Sequence, residues 1–161
     1  MRIYKFSIFT LLTFLLFSCM KDETSKLAIL EKQLLDEYIE ANNITVSPTE
    51  SGLYYIETTL GDGMMPSPHD IVKVHYTGYL LDSTKFDSSY DRGEAFEFEL
   101  GIGQVIQGWD EGLTLMQVGG EATLIIPSHL AYGDKEVGPI PPYSTLLFEV
   151  KLINIDNSLH L

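Results

Sequence analysis

The chain has 161 residues, with 10 Lys and Arg against 23 Asp and Glu, a formal net charge of −13. That length holds one ordinary domain plus a few dozen residues for targeting and linkage, and so acidic a surface argues against nucleic acid as a partner. The single cysteine excludes an internal disulfide, so stability has to come from the core.

Met1 to Cys19 combines a basic start (Arg2, Lys5), the apolar run Phe6 to Phe17 and then Ser18-Cys19, the layout of a secretory signal. As a helix the apolar run reaches only about 18 Å, against a hydrocarbon core of about 30 Å, which favours a cleaved leader over 1–18 rather than a membrane helix. Leu16-Phe17-Ser18-Cys19 resembles a bacterial lipobox, in which Cys19 is lipidated and becomes the new N-terminus; plain secretion with cleavage nearby is the alternative. Loss of Arg2 and Lys5 with the leader would bring the charge to −15. Met20-Lys21-Asp22-Glu23 resembles the short charged signals that send some Bacteroidetes-type lipoproteins to the outer face of the outer membrane, and a solvated tether explains it equally well.

A tether is expected over 19–50. Within it Leu27, Leu30, Leu34 and Tyr38 recur at helical spacing, widened by Ile29, Leu35 and Ile39, so an amphipathic helix over 26–42 is predicted, stopped by Asn42-Asn43. Packing on its own domain, self-association and a spacer role are all open for it. Ser47-Pro48-Thr49-Glu50 reads as a linker, and the domain proper is expected over 51–161.

Gly52 to Thr58 reads as a strand ending in the Gly61-Asp62-Gly63 turn, and Ile71 to Tyr79 as a second strand with Val72, Val74 and Tyr76 on one face. Phe96 to Leu100 alternates, which would turn both phenylalanines and the leucine inward. Val105, Trp109 and Leu113 share one face of a short helix in which Gly108 and Gly112 each cost about 1 kcal/mol, so close backbone approach is expected there. Strands over Glu121 to Ile126 and Thr145 to Ile155 follow, with Gly133 to Ser144 as a loop. The predicted class is α+β: a strongly curved antiparallel sheet of five or six strands wrapped on one short helix, preceded by the amphipathic helix.

Six stretches occur in order: Val74-His75-Tyr76-Thr77-Gly78, Lys85-Phe86-Asp87-Ser88-Ser89, Phe96-Glu97-Phe98, Val105-Ile106-Gln107-Gly108-Trp109, Ala131-Tyr132-Gly133, and Ile140-Pro141-Pro142 with Thr145-Leu146-Leu147-Phe148. Together, over about residues 51 to 156, they resemble the FKBP family of prolyl isomerases, whose members also bind macrolides. The resemblance implies a pocket of Tyr76, Phe86, Phe96, Val105, Ile106, Tyr132 and Phe148 over a Trp109 floor, with Ile140 contributing to the substrate side. It also implies that Asp87 pairs with the Tyr76 hydroxyl and Arg92, making it an organiser more than a chemical actor. Tyr90 and Tyr143 stand where compact eukaryotic members tend to carry basic or imidazole side chains, and the segment from Tyr132 to Ile140 is shorter, so a differently shaped rim is expected.

Rotation about a prolyl amide breaks no covalent bond, so the chemistry needs no nucleophile, and preferential binding of the twisted, less polar amide suffices. No cofactor and no metal are expected: His69, His75, His129 and His160 lack metal-ligand spacing. The expected partners are proline-containing polypeptide clients, a macrolide, and a membrane reached through an N-terminal lipid. Two other roles fit the same residues, a non-catalytic module gripping proline segments and an accessory factor of a surface machine.

Overall fold

The computed structural model describes residues 6–156, with side chains described over 24–156. The expected leader and the lipidation of Cys19 rest on side chains outside the described residues, and His160 lies outside them too. Helix α1 spans Phe6–Ala41. It takes in the predicted 26–42 helix up to Ala41 and begins earlier because no Gly or Pro precedes Pro48, so that stretch contains no strong breaker of the helical ladder. Its end is where the sequence put it: Asn43 adopts φ 53°, while the Ile44 N–H donates to Ile39 O (3.0 Å) and the Asn43 N–H to Glu40 O (3.1 Å). This left-handed cap satisfies two otherwise orphaned carbonyls. Among the described residues no helix is long and apolar enough to cross a membrane.

Six strands follow: β1 (Tyr54–Thr59), β2 (Ile71–Leu80), β3 (Lys85–Ser88), β4 (Phe96–Glu99), β5 (Glu121–Ile126) and β6 (Leu146–Asp156). The path runs β1-β5-β6-β2-β3, and β4 pairs with the other half of the β2 edge, every pairing antiparallel and the sheet open. Strand β2 is therefore central, as its burial shows: Val72, Val74 and Tyr76 alternate inward, all buried. On β6, Leu146, Phe148, Val150 and Leu152 do the same. Two pieces were not anticipated from the sequence, the short strand β3 and the single turn α2 (Ser89–Arg92) that Ser88 caps.

Helix α3 (Gln107–Leu113) lies against the inner face, with Trp109 and Leu113 buried. Its two glycines explain themselves. A Cβ at Gly108 would stand 2.4 Å from Ile126 Cγ2, and one at Gly112 would stand 2.8 Å from Leu124 Cδ1, so only glycine lets the helix backbone settle onto β5. Val105 precedes the helix instead of lying on it, because Ile106 has extended backbone and forms the N-cap. The alternation along β4 holds with one change: Phe98 and Leu100 are buried, but Phe96 stands at the open end, 36% exposed, stacked on Phe98 with ring centroids 5.4 Å apart.

Helix α1 touches the domain through only part of its apolar stripe. Leu35 is buried, whereas Leu27, Ile29, Leu30 and Leu34 stay exposed.

Candidate active site

The converging aromatic side chains enclose a cavity of about 200 Å³ lined by Tyr76, Phe86, Asp87, Phe96, Gln104, Val105, Ile106, Trp109, Tyr132 and Phe148. Wider clefts flank α1, one of about 450 Å³, but its lining mixes charged and polar side chains such as Glu31, Lys32, Asp36 and Ser128 with Leu35, Tyr54 and Tyr143. A small, mostly aromatic recess with a few polar groups is the form expected of a binding site.

Each wall has a local cause. Tyr76 follows Val72 and Val74 along β2 and continues the buried face upward. Gly78 is next on that face, and a Cβ there would lie 2.6 Å from Phe86 Cζ and 2.8 Å from Phe148 Cε1, so its bareness makes the space both rings occupy. Phe86 reaches that space because the β2–β3 register jumps from Gly78↔Asp87 to Tyr79↔Lys85, leaving Phe86 as the extra residue of a bulge. A bulge re-aims the side chain it frees, and Phe86 meets Phe148 edge to face at 5.5 Å. Trp109 forms the floor, with Tyr76 at 4.8 Å and Phe148 at 5.2 Å, both near perpendicular, and Phe98 at 5.8 Å. Such edge-to-face packing fixes ring positions beyond plain burial. The Trp109 indole Nε1–H is buried and has no partner among the described residues.

The polar side of the cavity is organised by Asp87. One carboxylate oxygen accepts from the Tyr76 hydroxyl, and the other accepts from Arg92 Nη1 and, at 2.8 Å, from the Ser88 N–H. Arg92 Nη2 also donates to the Tyr76 oxygen at 2.9 Å. Burial pushes the Asp87 carboxyl up, but the bonds from Tyr76 and Arg92, the guanidinium charge and the Ser88 N–H together outweigh it, and the group titrates below the usual carboxylate range. Burial, then the bond to Asp87, raises the Tyr76 hydroxyl against the opposing pull of Arg92. Burial followed by the Asp87 charge does the same for Tyr132, which keeps that hydroxyl protonated. The pair is only half enclosed, the Asp87 and Arg92 side chains each being 41% exposed.

Two expected residues stand apart from the wall. Ile140 is in the core at 4% exposed, where its backbone bridges Val137 in the loop, and it does not line the cavity. Arg92 sits behind Asp87 and Tyr76, with its guanidinium 5.5 Å from the Tyr76 ring centroid. Gln104 lines the cavity and was missed; its side-chain oxygen accepts from the Glu99 N–H at 3.0 Å, and its place directly before Val105 was the only available signal. Tyr90 stacks on His75 at 4.5 Å, outside the cavity. The described histidines have protein partners: His69 with Glu99 (2.9 Å), His75 with Ser89 (2.9 Å) and His129 with the Ser51 carbonyl (2.7 Å).

Comparison with known proteins gives this arrangement a family. Residues 63–153 match the family model described as FKBP-type peptidyl-prolyl cis-trans isomerase. The chain is 59% identical over 91 residues to FK506-binding protein 2 of Debaryomyces hansenii, covering 56% of this chain and 67% of that one. It is 47% identical over 138 residues to the FKBP-type isomerase FkpA of Aeromonas hydrophila, covering 84% of this chain but spanning only 51% of the relative's length. The crystal structure of FkpA from Escherichia coli superposes with a TM-score of 0.75 at 36% identity, over 93% of this chain and 70% of that one. With the ordered motifs, the bulge-borne Phe86 and the Trp109 floor in one cavity, the chain belongs to the FKBP-type peptidyl-prolyl cis-trans isomerases.

Proposed function

We propose that the chain accelerates cis/trans isomerisation of prolyl peptide bonds in exported polypeptides, working from the cell envelope to which Cys19 anchors it. The observation that carries the reading is the aromatic cavity over Trp109, walled mostly by rings and aliphatic side chains with a few polar groups from Asp87, Gln104 and Tyr132. An amide twisted out of plane loses resonance and polarity, so a recess that excludes water from it lowers a barrier of about 18–20 kcal/mol. Phe86, Val105, Trp109 and Phe148 grip the proline ring. The Ile106 N–H, on extended backbone at the N-cap of α3, and the Tyr132 hydroxyl hold the flanking carbonyls. Asp87 acts through Tyr76 and Arg92, keeping that wall in place without exchanging a proton with substrate. Ile140 supports the loop from the core. A macrolide would occupy the same recess, in keeping with the FK506-binding name of the yeast relative.

Export and anchoring rest on the leader and on Leu16-Phe17-Ser18-Cys19. The first test is refolding of a secretory protein whose slow phase is limited by proline isomerisation: addition of the chain should speed that phase, and an unchanged phase would overturn the proposal. Metabolic labelling with a fatty acid should mark the wild type and not Cys19→Ala; equal labelling of both would remove the anchor.

A further inference from the structure

We propose that Glu31, on helix α1, is a positioning residue for the prolyl site: it clamps both ends of the loop that carries Tyr132 and so couples the N-terminal helix to the pocket. The inference rests on the isomerase reading above. One Glu31 oxygen accepts from the Ser128 N–H (2.6 Å) and from Thr145 Oγ1 (3.0 Å), while the other accepts from Ser128 Oγ (2.6 Å). Ser128 and Thr145 are both buried, so these donors turn from water to one carboxylate contributed by a distant part of the chain. Ser128 opens a 3-10 turn over Ser128–Leu130, and Thr145 directly precedes β6; between them runs the segment that bears Tyr132.

The bonds continue inward from the clamp. The Ser128 carbonyl accepts from the Ala131 N–H (2.9 Å) and the Gly133 N–H (2.8 Å), the two residues flanking Tyr132. The Gly133 carbonyl then accepts from the Tyr143 N–H (2.8 Å), two residues before Thr145. The chain of bonds thus closes on itself through Glu31, Ser128, Gly133, Tyr143 and Thr145, with Tyr132 held inside the circuit. Tyr143 has φ 55°, an unfavourable conformation for a non-glycine residue that persists only where its surroundings hold it. Removing the carboxylate leaves three buried donors to find other partners and opens the circuit at its only point outside the domain. The effect should reach Tyr132 before it reaches the Trp109 floor.

The test uses the full chain with Glu31→Ala and Glu31→Gln, and Gln33→Ala as a helix-surface control, read by peptide isomerisation kinetics and by amide hydrogen exchange. Glu31→Ala should lower kcat/KM about three- to tenfold, carried by KM, because Tyr132 contacts substrate before and during the twist. In a Tyr132→Phe background the same substitution should change kcat/KM less than about twofold, a coupling that general destabilisation does not produce. Exchange at the Ala131 and Gly133 amides should rise at least about tenfold over that of the β2 amides. Glu31→Gln, which keeps one acceptor oxygen but replaces the other with an amide donor and loses the charge, should fall between wild type and Glu31→Ala. Additive kinetics, or exchange at Ala131 and Gly133 equal to wild type, would overturn the proposal. An inactive wild type would sink the isomerase reading instead, and the exchange measurement would still decide the clamp.

Discussion

Phe86→Ala separates the pocket's work from its contribution to folding better than any change at its floor. Trp109 is 4% exposed and touches four other rings, so truncating it would cost about 3–5 kcal/mol, a large share of a domain's total of about 5–15 kcal/mol. Phe86 is only partly buried, sits on a bulge and opens onto the cavity. Its removal leaves no closed void, and the cost should be about 1–2 kcal/mol from lost ring contact with Phe148 and lost area. The protein should therefore stay folded. The same ring walls the place where a proline would twist, so the loss of kcat/KM should be at least about tenfold, or about 1.4 kcal/mol of transition-state binding. The assay pairs exchange NMR of a prolyl peptide with a thermal melt of each protein. A folded Phe86→Ala protein that keeps kcat/KM within about twofold of wild type would refute the pocket assignment.

Three other changes probe separate links. Tyr132→Phe removes one hydroxyl donor, worth about 0.5–1.5 kcal/mol, and should lower kcat/KM about three- to tenfold with the melting temperature nearly unmoved; a melt shift without a rate change would contradict the assigned role. Because the Asp87 carboxyl titrates below its unfolded value, the stability it contributes is full above the usual carboxylate range and is lost as pH falls through the lower folded value. Asp87→Asn should then flatten the decline of melting temperature below about pH 4, and an unchanged slope would rule out the carboxylate as its source. That slope is shallow, since the half-exposed pair with Arg92 is worth only about 0–1 kcal/mol. Gly108→Ala gains about 1 kcal/mol of helix propensity but puts a methyl 2.4 Å from Ile126 Cγ2, so a net loss of several degrees in melting temperature is expected by calorimetry, and a stabilised variant would show that α3 is free to lift off β5.

What the sequence revealed and what it hid follow from the range of each interaction. The inward run Val72, Val74, Tyr76 and the glycines of α3 were legible because period-two burial and missing side chains are local signals. The place of Phe86 was legible only through family resemblance: a bulge is a mismatch between two strands, and β3 is too short to declare itself. Phe96 alternates correctly yet ends exposed, since alternation gives the face of a strand and not whether that face is covered. Ile140 belongs to a proline-rich stretch whose backbone folds back at Val137, so its side chain enters the core instead of the cavity. Glu31 left no trace at all in the sequence, because its partners lie 97 and 114 residues away and an acidic residue on an amphipathic helix looks like any other solvated charge.

The central claim, that the cavity over Trp109 speeds prolyl rotation, is tested most directly by exchange NMR on a proline-containing peptide with the purified chain, with and without an FK506-type macrolide. Cis/trans exchange should be accelerated far beyond the uncatalysed timescale of about tens of seconds or longer, and should return to that timescale when the macrolide fills the recess. A folded chain that leaves the exchange rate unchanged would contradict that claim.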